Sequence, residues 1–209
     1  MKILAHRGYW KTAPEKNSLA ALAGALERGW GVETDIRDYR GELVISHDPA
    51  DEDAPRLAEL FSAYGRLAAP KPLLALNVKA DGLYLFLPDL FKRFDVKPEN
   101  HFLFDASLPE QYIYLKRGFR VFTRSSEFEP RPAFLEQSAG VWLDQFTDRG
   151  HIMTALDPLL ATGLEICVVS PELHGRSPEE LWARLAARKG HARLHLCTDR
   201  PAEAEVYFQ

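Results

Sequence analysis

Cysteine is scarce in this chain of 209 residues: only Cys167 and Cys197 occur. Each is flanked by apolar residues in a strand-like run, so both read as buried thiols rather than as a disulfide or a metal pair. That makes a reducing compartment the default expectation. Excess charge is missing too. Twenty-six basic residues against thirty acidic ones give a formal charge of -4, which leaves no basic footprint for nucleic acid. No run of like charges suggests a tail or a membrane-surface helix. No apolar stretch approaches the length of a membrane span, and Met1 leads straight into the strand-like Lys2-Ile3-Leu4-Ala5 without a charged-then-apolar leader. A chain without a transmembrane segment, placed in the cytoplasm, is therefore expected. Nothing in the sequence sets an oligomeric state. A composition break is absent as well, so residues 1–209 are expected to form one domain. Finally, the first strand-to-helix turn, His6-Arg7-Gly8-Tyr9-Trp10, lacks the G-x-G-x-x-G fingerprint. This argues against a doubly wound dinucleotide-binding sheet.

What is present is an alternation of short β-branched or apolar runs with longer amphipathic ones, the pattern of a parallel sheet with crossover helices. Strands are predicted over 2–6, 31–38, 43–47, 73–79, 101–105, 119–124, 140–145, 164–170 and 193–198. In the first helix Asn17 is the expected cap, Leu19, Leu22, Ala23 and Leu26 line one face, and Gly29 ends it. Further helices are predicted over 57–67, 83–94, 109–117, 152–162 and 178–189, with 125–139 broken by Pro130 and Pro132. Nothing is read from the terminal Tyr207-Phe208-Gln209. Treating 43–47 as a hairpin partner of 31–38 across Arg40-Gly41-Glu42 leaves eight parallel strands, the number that closes a TIM (β/α)8 barrel.

In such a barrel the chemistry lies where strands end, and the endings here are polar: His6-Arg7, Glu33 with Asp35, His47-Asp48, Asn77 with Lys79, Asp105, Arg124 with Glu127, Asp144, Ser170 with Glu172, and Thr198-Asp199. Glu33 and Asp35 are two apart on one strand and share a face; Asn77 and Lys79 repeat the arrangement. Two inward carboxylates are costly to bury unless a cation compensates them, and hard oxygen ligands suit Mg²⁺ or Ca²⁺. The alternative is an ion pair satisfied by Arg7 or Lys79. By themselves His6 reads equally as a hydrogen-bonded core histidine and His47 as a surface one. Arg124 is either a clasp for phosphate or a salt-bridge partner of Asp105, Glu127 or Asp144. Tyr9, Trp10 and Trp142 are candidate walls of an apolar pocket, with core packing the expectation for Trp142.

Taken together, Ala5-His6-Arg7-Gly8, Asn17-Ser18-Leu19, Val32-Glu33-Thr34-Asp35-Ile36 and Val44-Ile45-Ser46-His47-Asp48-Pro49 resemble the glycerophosphodiester phosphodiesterase family. Fainter matches continue through Leu76-Asn77-Val78-Lys79 and Cys197-Thr198-Asp199-Arg200-Pro201. The resemblance implies a TIM barrel of the phosphatidylinositol-phosphodiesterase-like superfamily, a divalent metal held by Glu33, Asp35 and Asn77, and cleavage of a glycerol-linked small-molecule phosphodiester. His6 and His47 would be the acid–base pair, with Arg7, Lys79 and Arg124 on the phosphate and Asp48, Asp105, Glu127, Asp144 and Trp10 around the pocket. Three departures stand out. Asn77 replaces the usual carboxylate, which makes Asp105 a candidate substitute. The acidic-Asn pair before the first helix is interrupted as Glu15-Lys16-Asn17. Only Pro49 to Arg56 follow the His-Asp pair, a shortness that resembles the related spider-toxin type of phospholipase D. A barrel that binds a phosphorylated ligand without turnover is the second reading.

Overall fold

In a computed structural model the chain is described over residues 1–209 and divides into two compact units, Ala5–Arg120 and Met1–Leu4 with Val121–Gln209. β1 (Lys2–His6) contributes residues to both.

The first unit continues with α1 (Leu19–Glu27), β2 (Gly31–Tyr39), β3 (Glu42–Ile45), α2 (Leu57–Gly65), β4 (Leu74–Val78), α3 (Leu87–Arg93), β5 (His101–Phe104) and α4 (Leu108–Lys116). Its strands lie in the order β5-β4-β2-β1, with β3 folded back antiparallel on the far end of β2. β4 runs parallel to both β2 and β5. The buried face of α1 is Ala21, Leu22, Ala25 and Leu26, four positions on a helical stripe. Its start differs from expectation: Ser18, not Asn17, is the cap, its hydroxyl accepting from the Ala21 N–H at 3.2 Å. Asn17 instead has a left-handed backbone, φ 62°, which turns its side chain inward. Gly8, at φ +92°, packs against α1 so closely that an added Cβ would lie 2.6 Å from the Ala21 carbonyl carbon. Only glycine meets both demands. The run predicted as one helix over 83–94 is a 3-10 turn, Leu83–Leu85, followed by α3, because Pro88 resets the helix start.

The second unit comprises β6 (Phe122–Ser125), β7 (Gly140–Leu143), α5 (His151–Ala161), β8 (Glu165–Val169), α6 (Glu179–Ala186), β9 (Leu194–Thr198) and α7 (Pro201–Phe208). Its strands follow the order β1-β9-β8-β7-β6. Val141, Leu143, Ile166, Val168, Leu194 and Leu196 point to one side and pack with Leu156, Trp182 and Leu185 of the helices. Between β6 and β7 the prolines leave only a 3-10 turn, Leu135–Gln137. Gly140 is required there by proximity, since a Cβ would meet the Glu165 carbonyl oxygen at 2.4 Å. α6 is shorter than the predicted 178–189, and α7 was not anticipated: Pro201 opens it, and Tyr207 and Phe208 stack near Trp182 at 5.4 and 5.7 Å. Eight parallel strands in sequential order, with seven helices and one added hairpin strand, make the expected (β/α)8 fold. No helix is long and apolar enough to cross a membrane.

Candidate active site

All the chemistry-bearing residues of the first 80 positions gather inside the first unit. β2 presents Glu33 and Asp35 on one face, 1% and 0% exposed. Parallel register sets Asp35 beside Asn77 of β4, so the amide faces the same space. The Asn77 Nδ2 donates to Glu33 Oε1 at 3.3 Å. Around this floor stand the cations. Arg7, itself left-handed at φ 56°, brings Nε to 2.9 Å from Asp35 Oδ2. The pair is close but poorly aligned for a hydrogen bond, so the attraction is mainly coulombic. Lys79 Nζ lies 3.4 Å from Asp35 Oδ1, and His6 Nε2 lies 3.8 Å from Glu33 Oε2.

Asn17 completes the arrangement. Its amide nitrogen donates to Asp35 Oδ2 at 2.8 Å, its oxygen accepts from the Thr34 hydroxyl at 2.9 Å, and its N–H donates to the Arg7 carbonyl at 2.9 Å. Two left-handed residues joined through the backbone thus aim at one carboxylate oxygen. Three buried oxygens, Glu33 Oε2, Asp35 Oδ1 and Asn77 Oδ1, receive no hydrogen bond. Buried acceptors without donors are rare and call for a cation or a solvent molecule. Burial, and secondarily the Asp35 charge, raise the Glu33 carboxyl to about 7 against the pull of His6, Arg7 and Lys79. No group of three or more His, Cys, Asp or Glu side chains comes together as a metal centre. The available donors are two carboxylates and one amide oxygen, a hard set that suits an ion retaining several waters, as Mg²⁺ does.

His47 follows β3. The Ser46 N–H donates to the Asp35 carbonyl at 3.1 Å, and His47 Nδ1 meets Asp48 Oδ1 at 2.9 Å. That hydrogen bond, with the charge of His47, holds the exposed Asp48 carboxyl below its ordinary range. His47, Asp48, Arg7 and Asn17 line one open cleft of about 400 Å³. The hairpin therefore delivers the second histidine to the space that the first strand-to-helix turn already borders.

No family model and no curated protein matches the sequence. Solved structures do. A glycerophosphodiester phosphodiesterase from Parabacteroides distasonis superposes with a TM-score of 0.74 at 18% identity, over 99% of this chain and 96% of that one. A phosphodiesterase from Oleispira antarctica, in complex with its product sn-glycerol-3-phosphate, gives 0.71 at 17% identity, over 99% and 96%. A Ca²⁺-dependent phosphatidylinositol-specific phospholipase C from Streptomyces antibioticus gives 0.63 at 12%, over 100% and 96%. The chain has the fold of the glycerophosphodiester phosphodiesterases.

On that fold the remaining predicted residues fall as follows. The Trp10 indole donates to the His6 carbonyl at 3.0 Å, bracing that histidine's backbone in addition to any wall it forms. Asp105 follows β5 with φ 62°, one residue beyond the Phe104 that pairs with Asn77. In the second unit Arg124 lies 3.7 Å from Glu129 and 5.3 Å from the Phe146 ring. The Glu127 carboxylate is occupied by the Phe146 and Thr147 N–H groups and the Thr147 hydroxyl. Asp144 accepts from the Gln145 N–H at 2.7 Å and pairs with His174 at 2.8 Å. Trp142 is core, 4% exposed. Sequence reasoning passed over His174, which closes a single 3-10 turn, Pro171–His174, too short to give a periodic signal. It also misread Asn17, because capping and site roles draw on the same residue type. Arg37, which continues the two-residue period of Glu33 and Asp35, was not singled out.

Proposed function

We propose that the chain is a divalent-metal-dependent phosphodiesterase cleaving a glycerophosphodiester-like small molecule, with His6 and His47 as its proton-transfer pair. The observation that carries this reading is the trio of buried, undonated oxygens on Glu33, Asp35 and Asn77, ringed by Arg7, Lys79 and His6. Those three side chains would hold the cation, Mg²⁺ or Ca²⁺. When bound it supplies Lewis-acid charge for a phosphoryl oxygen. Arg7 and Lys79 add fixed positive potential beside it. His6 takes the proton from an attacking substrate hydroxyl as its oxygen bonds to phosphorus. His47 donates a proton to the departing alkoxide as the second P–O bond breaks, leaving a cyclic phosphate. Reversal of the two roles lets water open that ring. Asp48, hydrogen-bonded to His47 Nδ1, fixes the tautomer and leaves Nε2 for substrate. Asp105, which follows β5 in the same unit, is assigned to the pocket margin. The buried thiols of Cys167 and Cys197 support a reducing, cytoplasmic setting.

The test is a screen of phosphodiesters with chelated protein resupplied with Mg²⁺, Mn²⁺ or Ca²⁺. Metal-dependent release of a phosphomonoester or cyclic phosphate is expected, and inertness towards every diester with every ion would overturn the reading. The amide at position 77 favours one rival, a barrel that binds a phosphorylated ligand without turning it over. Saturable phosphate binding in an inert protein would select it.

A further inference from the structure

β2 runs longer than its neighbour. β4 stops at Val78, opposite Ile36, whereas β2 continues to Tyr39 with β3 alone beside it, Arg37 pairing with Val44. Alternation puts Glu33, Asp35 and Arg37 on one face, so Arg37 stands one step above the two acids at the strand end. The other cations of the cluster are matched: Arg7 and Lys79 both pair with Asp35. Their two charges offset the two of Glu33 and Asp35. Arg37 is surplus. It forms no ion pair, and its buried Nε finds no acceptor. Asp48 does feel its charge, along with that of Arg7, but gives its own oxygen to His47. A half-buried guanidinium without a counter-ion bears a desolvation cost that an arriving anion relieves.

We propose that Arg37 is a substrate-binding residue whose guanidinium takes an anionic oxygen of the phosphodiester above the Glu33–Asp35 floor. This rests on the phosphodiesterase reading. Its function is affinity for the phosphate group, by the planar fork that matches phosphate oxygens, and proton transfer stays with the histidines.

Arg37→Gln and Arg37→Lys test it, with Arg40→Gln as a control because Arg40 is exposed and lies over Tyr39. Steady-state kinetics on a cleaved diester and calorimetry with inorganic phosphate in Mg²⁺ are the readouts. For R37Q, KM is expected to rise and phosphate affinity to fall by about tenfold or more, the usual effect of losing a hydrogen bond to a charged group. The same variant should change kcat by less than about threefold. R37K should lie between, and R40Q should match the parent. Since no ion pair is lost, melting temperatures should stay within about 2 °C. Unchanged KM and phosphate affinity in R37Q would overturn the proposal while leaving the enzyme reading intact. So would a lower melting temperature combined with parental phosphate affinity in R37K. A parent that neither cleaves diesters nor binds phosphate would remove the enzyme reading, and this proposal with it.

Discussion

Residues 5–120 and 121–209 both end strands in acids, yet the two halves treat those acids in opposite ways. In the second half every one is answered. Glu172 accepts from the Ser170 and Thr198 hydroxyls and from the Asp199 N–H, Glu127 from three donors of residues 146 and 147, and Asp144 from Gln145 and His174. In the first half Glu33 and Asp35 are more deeply buried, yet each keeps an oxygen without a donor. A satisfied acid rigidifies loops. An unsatisfied one stores a demand that a cation or a solvent molecule meets, so on the proposed reading the halves separate scaffold from chemistry.

The strongest way to break this contrast is activity. Alanine at His6 or His47 should lower turnover by about a hundredfold or more with the fold retained, as for any positioned proton-transfer group, whereas alanine at His174 should leave turnover within about threefold. Near-parental rates in H6A and H47A, read against matched circular dichroism spectra, would erase the distinction.

Stability gives the next largest effect, and of opposite sign in the two halves. Glu172→Ala strands three donors and should cost about 3 kcal/mol in urea unfolding. Glu33→Gln removes a carboxylate whose pKa is raised on folding, to about 7. Such a group costs stability as pH rises through that value. The metal-free E33Q protein should therefore melt higher than its parent at pH 8, and a lower melting point would contradict the electrostatic account.

The first half also holds a group that acts in the opposite sense on acidification. His101, packed against Phe91 and bonded to the Lys97 carbonyl, is lowered by burial to about 4. Above its ordinary value it costs nothing. As pH falls the unfolded chain protonates first, so stability is lost progressively towards the folded value. Between pH 7.5 and 5 the His101 contribution to that loss should be roughly 2 kcal/mol, read as the difference between the parent and His101→Gln curves, because the raised Glu33 carboxyl acts in the opposite sense over the same range.

The smallest expected change concerns the metal. Asn77→Asp should tighten divalent binding in phosphate-free buffer by about tenfold, because a carboxylate is the better partner for a hard ion. Calorimetry showing no change would mean that Asn77 is not a ligand.

The strands and the two-apart carboxylates were legible because period-two alternation and polar strand endings are local properties of a sequence. Helix boundaries were read less well: Pro88 and Pro201 set starts that amphipathic patterning alone does not place. The role of Asn17 was illegible for a different reason. A left-handed φ is dictated by what the turn returns to, here the Arg7 carbonyl, and that partner lies ten residues back.

The pairing of Arg7 and Lys79 with Asp35 has a consequence for biogenesis. A nascent chain that carries its own counter-charges can reach its native form before any inorganic guest arrives. On the proposed metal-dependent reading, loading is then a late and reversible event, governed by the ion pool and by arriving phosphate rather than by the ribosome's timetable, and a cell short of the ion would accumulate folded, idle protein instead of debris.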